Sequence, residues 1–406
     1  MKPGKYYKRM KSKFILFFLV LLSSRSFAQL PSTDVYGYAK YLFGSTKYPF
    51  YNERLNDNLI HARLNTRWYP LSSLTAALEF RFRAYYGDSV DKIPGFLNMI
   101  KTHHEFADLD AVLWDKGKTL GYLETDRIWL DWTKDKFELT LGRQRIAWGT
   151  SWVWNPTDLF NPRSPLDFDY EELPGTDAVR IQYYTGPVSK VEVAVRPAKK
   201  FNKVIAAGLI SLNKWDYDFN IIGGIKENRW VVGGGWSGDI LDAGFRGEFT
   251  VTQRPELLSR YKILSAIIPE YIPLSSFKDP VFSFVLSGDY TFPNSFYIHT
   301  EVMYYNNGKT TKAGLYQQEA IDLGMLSTAR WSVYQEFSYD ITPLIRGSLF
   351  GIYNPDDHSY VIIPSVSYSV ITNLDLYFIA LLFNGNSYSE YGDYGSSLYA
   401  RVKYSF

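Results

Sequence analysis

Apolar and polar residues alternate with a period of two through most of the chain, the pattern of strands with two unlike faces. In 74–85, Leu74, Ala76, Leu78, Phe80, Phe82 and Ala84 share one side, and Thr75, Glu79, Arg81 and Arg83 the other. Val191, Val193 and Val195 alternate with Glu192, Ala194 and Arg196, while Phe245 and Phe249 oppose Arg246, Glu248 and Thr250. The pattern predicts eighteen segments: 34–43, 58–69, 74–85, 120–132, 136–147, 176–186, 189–197, 204–213, 216–226, 229–239, 242–253, 281–292, 295–306, 331–341, 343–354, 358–369, 373–383 and 395–406. Most exceed the ~5–6 residues of a soluble strand and match the roughly 9–11 that a tilted strand needs to cross a bilayer. The even-numbered links are turn-like, as at Thr133–Asp135 and Phe292–Asn294. The odd-numbered ones include 44–57, 86–119, 148–175, 254–280, 307–330 and 384–394, with 198–203 and 227–228 as short exceptions. Tight turns at one rim and long loops at the other specify an all-β fold: a transmembrane antiparallel up-and-down barrel of about 18 strands, in the range 16–18.

Lipid decides which face points where. An open sheet edge in hydrocarbon leaves backbone groups unpaired, so the sheet must close. Turning Arg81 and Arg83 to lipid would cost roughly 2–4 kcal/mol each near the midplane, so the polar set is predicted to face a wet lumen. The pore-lining candidates are Glu79, Arg81, Arg83, Arg127, Arg180, Arg196, Arg246, Glu248, Glu301 and Arg346. One segment breaks step. Unbroken alternation from Phe137, Leu139 and Leu141 would send Arg143 and Arg145 to lipid. Either a bulge at Gly142 returns both arginines to the lumen, or the strand has already left the hydrocarbon.

Composition then narrows the class. Aromatic residues make up 17 % of the 406 residues, 33 of them tyrosine, and those near strand ends (Tyr36, Tyr38, Tyr41, Trp129, Trp132, Tyr183, Tyr184, Tyr304, Tyr305, Tyr404, Phe406) are candidates for interfacial girdles. Cysteine is absent, which excludes a disulfide scaffold, a thiol nucleophile and a Cys-ligated metal. Residues 1–28 read as a signal peptide, with Lys/Arg before the apolar run 14–22 and a predicted cut after Ala28. They hold seven of the 44 Lys/Arg and no acid, so residues 29–406 carry 37 basic against 42 acidic residues, net −5. The formal +2 of the whole chain therefore offers no argument for nucleic acid as a partner.

The segment 148–175 concentrates the remaining chemistry. Its Asn155-Pro156 and Asn161-Pro162 pairs prevent regular structure, and Trp152 and Trp154 are too apolar for a loop in water. Folded inward, it would narrow a pore, with Asp158, Asp167, Asp169, Glu171 and Glu172 at the constriction; the alternative is a loop packed over the rim. The acids lack the spacing of a calcium loop. His103-His104-Glu105 lacks the helical spacing of an H-E-x-x-H metal pair. No metal, cofactor or catalytic residue is expected.

The end of the chain, Tyr399 to Phe406 (YARVKYSF), alternates and finishes on Phe. In this and in its whole architecture the chain resembles Gram-negative outer-membrane porins. The stretch Gly142-Arg143-Gln144, Trp148-Gly149, Asn155-Pro156 and Asn161-Pro162 is similar to an element of porin-like families that include alginate-export-like barrels. The resemblance implies export to the bacterial outer membrane, contact with its lipid, and recognition of Tyr404 and Phe406 by the barrel-assembly machinery. It also implies passive diffusion of small hydrophilic solutes. A first strand close to the predicted cleavage site argues against an energised, plugged transporter. The alternatives are a conduit or scaffold for polysaccharide export and a barrel-embedded hydrolase. Neither the solute nor the oligomeric state is specified.

Overall fold

The structure, a computed structural model, describes residues 32–406 apart from 50, 102–104, 162–165, 167–171, 257, 269 and 278. The signal-peptide segment 1–28 lies outside the described residues. The strands are β1 Thr33–Lys47, β2 Leu55–Leu71, β3 Leu74–Gly87, β4 Asp110–Lys116, β5 Thr119–Lys134, β6 Phe137–Gln144, β7 Thr176–Tyr184, β8 Lys190–Arg196, β9 Ile205–Lys214 and β10 Tyr217–Lys226. They continue as β11 Arg229–Ile240, β12 Ala243–Thr252, β13 Val281–Thr291, β14 Tyr297–Tyr305, β15 Trp331–Thr342, β16 Ile345–Asn354, β17 Ser359–Ile371, β18 Leu374–Asn384 and β19 Ser396–Ser405. Successive strands pair antiparallel, β3 pairs with β5 past β4, and β1 pairs with β19. Eighteen strands thus close the ring through the β1–β19 and β3–β5 pairings.

Each ring strand coincides with a predicted segment. The extra strand, β4, falls inside the predicted 86–119 loop. Its seven residues are too short for alternation to separate from a loop. Residues 119–124 of β5 pair with β3 on one side and β4 on the other, and β6 pairs only with the lower part of β5. β4 therefore continues the wall where β6 leaves it. At the short-turn rim, Trp215 and Asp216 have φ of 59° and 62°, the two left-handed residues that a twisted two-residue hairpin requires. Glu227 and Asn228 do the same at the opposite rim.

The outer face carries Ile60, Leu78, Ile128, Val193, Ile221, Leu286 and Phe378, all exposed. The inner face carries Lys40, His61, Arg63, Glu79, Arg81, Glu192, Glu248 and Glu301, all buried. Two expectations need correction. Neighbouring aromatics cannot share a girdle when alternation sends them to opposite faces. Tyr41, Trp132, Tyr183 and Tyr404 are exposed outside, whereas Tyr38 and Tyr305 are buried within. Trp129 lies under the inward Arg67 and Tyr184 donates to the inward Glu138. The inner face is also not uniformly polar. Ala178, Ala194, Ile205, Leu209 and Val231 form one buried apolar cluster, and Val285, Met303, Ile352, Val361 and Leu381 belong to another.

Candidate functional site

Those inner apolar surfaces exist because a segment of chain covers them. After β6 the backbone kinks at Gly142, where φ is 114° and an added Cβ would lie 2.3 Å from the Ile128 carbonyl oxygen. The kink turns Arg143 inward, with Nε 2.8 Å from Asp177 Oδ1 and Nη2 donating to the Ala107 carbonyl at 2.6 Å. Pairing with β5 and β7 continues in unbroken register through Gly142, so the change of phase is a twist of the backbone and not an inserted residue. Arg145 lies beyond the strand and is exposed.

The segment 146–161 then runs against the inner wall. A buried loop must find partners for its N–H groups, and three wall carboxylates supply them. Glu192 on β8 accepts from Trp148 Nε1 at 2.8 Å. Glu248 on β12 accepts from the amides of Thr150 (2.5 Å), Ser151 (2.7 Å) and Thr157 (3.1 Å), and from Thr157 Oγ1 (2.5 Å). Glu301 on β14 accepts from the amides of Trp152 (3.1 Å) and Trp154 (2.7 Å), with Val153 shared between its oxygens. Asp158 braces the segment internally through the amides of Trp148 and Gly149. Gly235 in β11 gives room: a Cβ there would stand 3.1 Å from Thr150 Oγ1.

Apolar burial adds the second hold. Ile146, Trp148, Leu159 and Phe160 pack on the first apolar cluster, and Trp154, 1 % exposed, on the second. Trp148 and Phe160 meet edge to face at 5.0 Å. Trp152 differs: the residue is 58 % exposed and its ring lies 5.2 Å from the Arg246 guanidinium. An exposed indole and a cation thus share one position on the segment.

The inner face also carries a network of both signs. Arg63 Nη2 reaches Glu79 (2.5 Å), Asp126 (2.6 Å) and Glu172 (2.9 Å). Arg81 and Arg83 reach Glu124 at 2.6 and 3.2 Å, and Arg127 donates to the Leu173 carbonyl at 3.0 Å. Arg180 pairs with Glu192, Arg196 with Glu227, Arg246 with Asp289, and the more exposed Arg346 with Asp340. Among the loop acids, Asp158 and Glu172 are thereby placed, whereas Asp167, Asp169 and Glu171, like His103 and His104, lie outside the described residues. The pore-lining candidates omit Arg63 and Arg67, although His61, Arg63, Asn65 and Arg67 recur at every second residue. At the seam, Phe406 and Gly37 exchange backbone hydrogen bonds of 3.0 and 2.9 Å, while Tyr404 faces outward.

One constellation arises only across strands. Ser287 Oγ lies 2.9 Å from His299 Nε2, and Glu301 Oε2 lies 3.6 Å from the same nitrogen. A hydrolytic triad uses the two ring nitrogens separately. Here serine and carboxylate approach one nitrogen, Ser287 and His299 are 1 and 2 % exposed, and Glu301 is engaged by amides. In the outer loops, Glu390 accepts from Ser327 Oγ, the amides of Thr328 and Ala329, and Asn354 Nδ2. Burial raises its carboxyl above the ordinary value, and the hydrogen bonds from Thr328, Ser327 and Ala329 oppose the rise. Among the described residues no cluster of three or more His, Cys, Asp or Glu is placed to hold a metal ion.

No protein-family model matches the chain, and no curated protein matches it by sequence. Its fold is that of solved outer-membrane barrels. Acinetobacter baumannii OccAB4 superposes with a TM-score of 0.59 at 10 % identity, over 93 % of this chain and 99 % of that one. Pseudomonas aeruginosa OccK5 gives 0.56 at 8 %, over 92 and 98 %. The outer membrane protein OpdK of the same organism gives 0.54 at 8 %, over 92 and 98 %.

Proposed function

We propose that the chain is an outer-membrane porin, a passive diffusion channel for small hydrophilic solutes, delivered by removal of residues 1–28. The observation that carries this reading is the closed ring with an oily outside and a charged inside, lined by a segment held on the wall through Glu248 and Glu301. Such a ring offers solutes a polar path through lipid, and the segment reduces its cross-section. Selectivity then comes from size, from charges of both signs along the wall, and from the exposed Trp152 ring beside Arg246. No chemical step is involved. The Ser287–His299–Glu301 geometry gives the hydrolase alternative no support, since nothing there is arranged to deprotonate a reachable serine.

Planar-bilayer recording of the refolded mature protein tests the reading. Stepwise, voltage-stable conductance in KCl is the expected result. A barrel that folds but never conducts would overturn it in favour of a conduit closed by partners. The terminal strand supports a second element, recognition of Tyr404 and Phe406 by the assembly machinery. Removing Phe406 is expected to slow assembly in cells, read as a fall in the heat-modifiable, folded form on a detergent gel.

A further inference from the structure

A small cavity lies where the inward segment meets the long-loop ends of β10 to β14. It is about 60 Å³ and is lined by Lys226, Arg229, Thr250, Ser283, Asn307 and Asp158. A single water needs ~10–15 Å³ on this scale, so the space holds roughly four waters or one compact polyatomic ion. Two cations face it against one carboxylate, and that carboxylate is occupied: Asp158 Oδ1 accepts the amides of Trp148 and Gly149 at 2.5 and 2.8 Å. Arg229 donates through Nη2 to the Leu323 carbonyl at 3.3 Å. Lys226 points inward beneath the segment 323–326, where a Cβ built on Gly324 would lie 3.4 Å from its Nζ. Among the described residues, Lys226 has no ion-pair or hydrogen-bond partner. Asn307 turns Nδ2 toward Met325 Sδ, and its buried Oδ1 has no hydrogen-bond partner among the described residues.

Confined cations and an orphaned acceptor around one space are unfavourable unless a ligand satisfies them. We infer that this cavity is a binding subsite for a compact oxyanion that carries its own hydroxyl, the chemistry of hydrogen phosphate. The anionic oxygens meet Lys226 and Arg229, and the hydroxyl donates to Asn307 Oδ1. Size excludes a sugar chain, and charge excludes a cation. The subsite deepens the channel reading by giving it an anion-binding step at the long-loop mouth. It rests on that reading for its purpose but not for its measurement.

Isothermal titration calorimetry of the full detergent-refolded barrel with sodium phosphate tests it. Saturable binding is expected, weakened about tenfold or more by Lys226→Met, since a charge-assisted contact is lost, and kept by Lys226→Arg. Sulfate, which has no proton for Asn307 at neutral pH, is expected to bind more weakly. Absence of saturable phosphate binding, unchanged binding in Lys226→Met, or equal binding of sulfate overturns the inference. Heat-modifiable migration confirms folding of each variant, and Arg229→Gln replaces Lys226→Met should that variant fail to fold. Conductance in KCl alone reads the channel proposal separately, so the two can fail independently.

Discussion

Two residues, on β6 and β14, help to seat the inner segment. Gly142 adopts φ of 114° and sits against the Ile128 carbonyl. A side chain there costs on the order of 1–3 kcal/mol from backbone strain, before any clash. Gly142→Ala is expected to lower the urea midpoint of the folded barrel, and an unchanged midpoint would show that the kink is not obligatory. Glu301 holds the amides of Trp152, Val153 and Trp154. Glu301→Gln keeps the shape but removes the charge, and hydrogen bonds to a charged group contribute about 1.5–3 kcal/mol. The expected outcome is a noisier, larger single-channel current. Identical traces would mean that the segment does not limit flow.

At the scale of an element, the segment 146–161 is a loop that behaves as core. Its hold divides between wall carboxylates and apolar packing, and Trp154 is the deepest anchor. Truncating a buried aromatic to alanine costs about 3–5 kcal/mol. Trp154→Ala is therefore expected to undock the segment while the ring persists, seen as protease cleavage within 148–160 of the folded protein. Resistance equal to the parent would place the anchorage elsewhere. The outer loops make a comparable contact that titrates. Lys309 donates to the Ile272 carbonyl and lies 4.1 Å from the Tyr316 ring. Burial pushes its ammonium down to about 8 from 10.5. Between these values the unfolded loop binds more protons than the docked one, so docking strengthens as pH rises from about 8 and weakens as pH falls through it. Amide exchange around 271–276 and 306–316 is expected to slow, after correction for intrinsic rates, between pH 7 and pH 10. Acceleration would reverse the sign.

For the whole molecule, strand pairing and lipid together convert local alternation into a tube whose wall carries both charges. Neutralising Arg81 and Arg83 leaves Glu124 without the guanidiniums that face it at 2.6 and 3.2 Å. The reversal potential in a salt gradient is expected to move toward cation preference. A potential that stays put removes both arginines from the selectivity of the proposed channel. The arginines pair with Glu124 only because β3 lies directly beside β5, with Arg81 opposite Glu124 in the register.

The sequence by itself determined the ring: eighteen segments, their phase, the short-turn rim and the need for closure, all of which follow from a two-residue period and the cost of polar groups in lipid. It also held the signal for Arg63 and Arg67, in the alternation from His61 onward. Tertiary structure decided what alternation cannot carry. The seven residues of β4 have a partner only because β6 turns inward and leaves the upper part of β5 open. Ser287 meets His299 through strand register, and Lys226, Arg229 and Asn307 come to line one cavity through loop placement. Which amides of 148–157 satisfy Glu248 and Glu301 depends on how the segment lies along the inner wall. A periodic pattern reports the face on which a residue stands; the partner it meets across the lumen is set by how the cylinder closes.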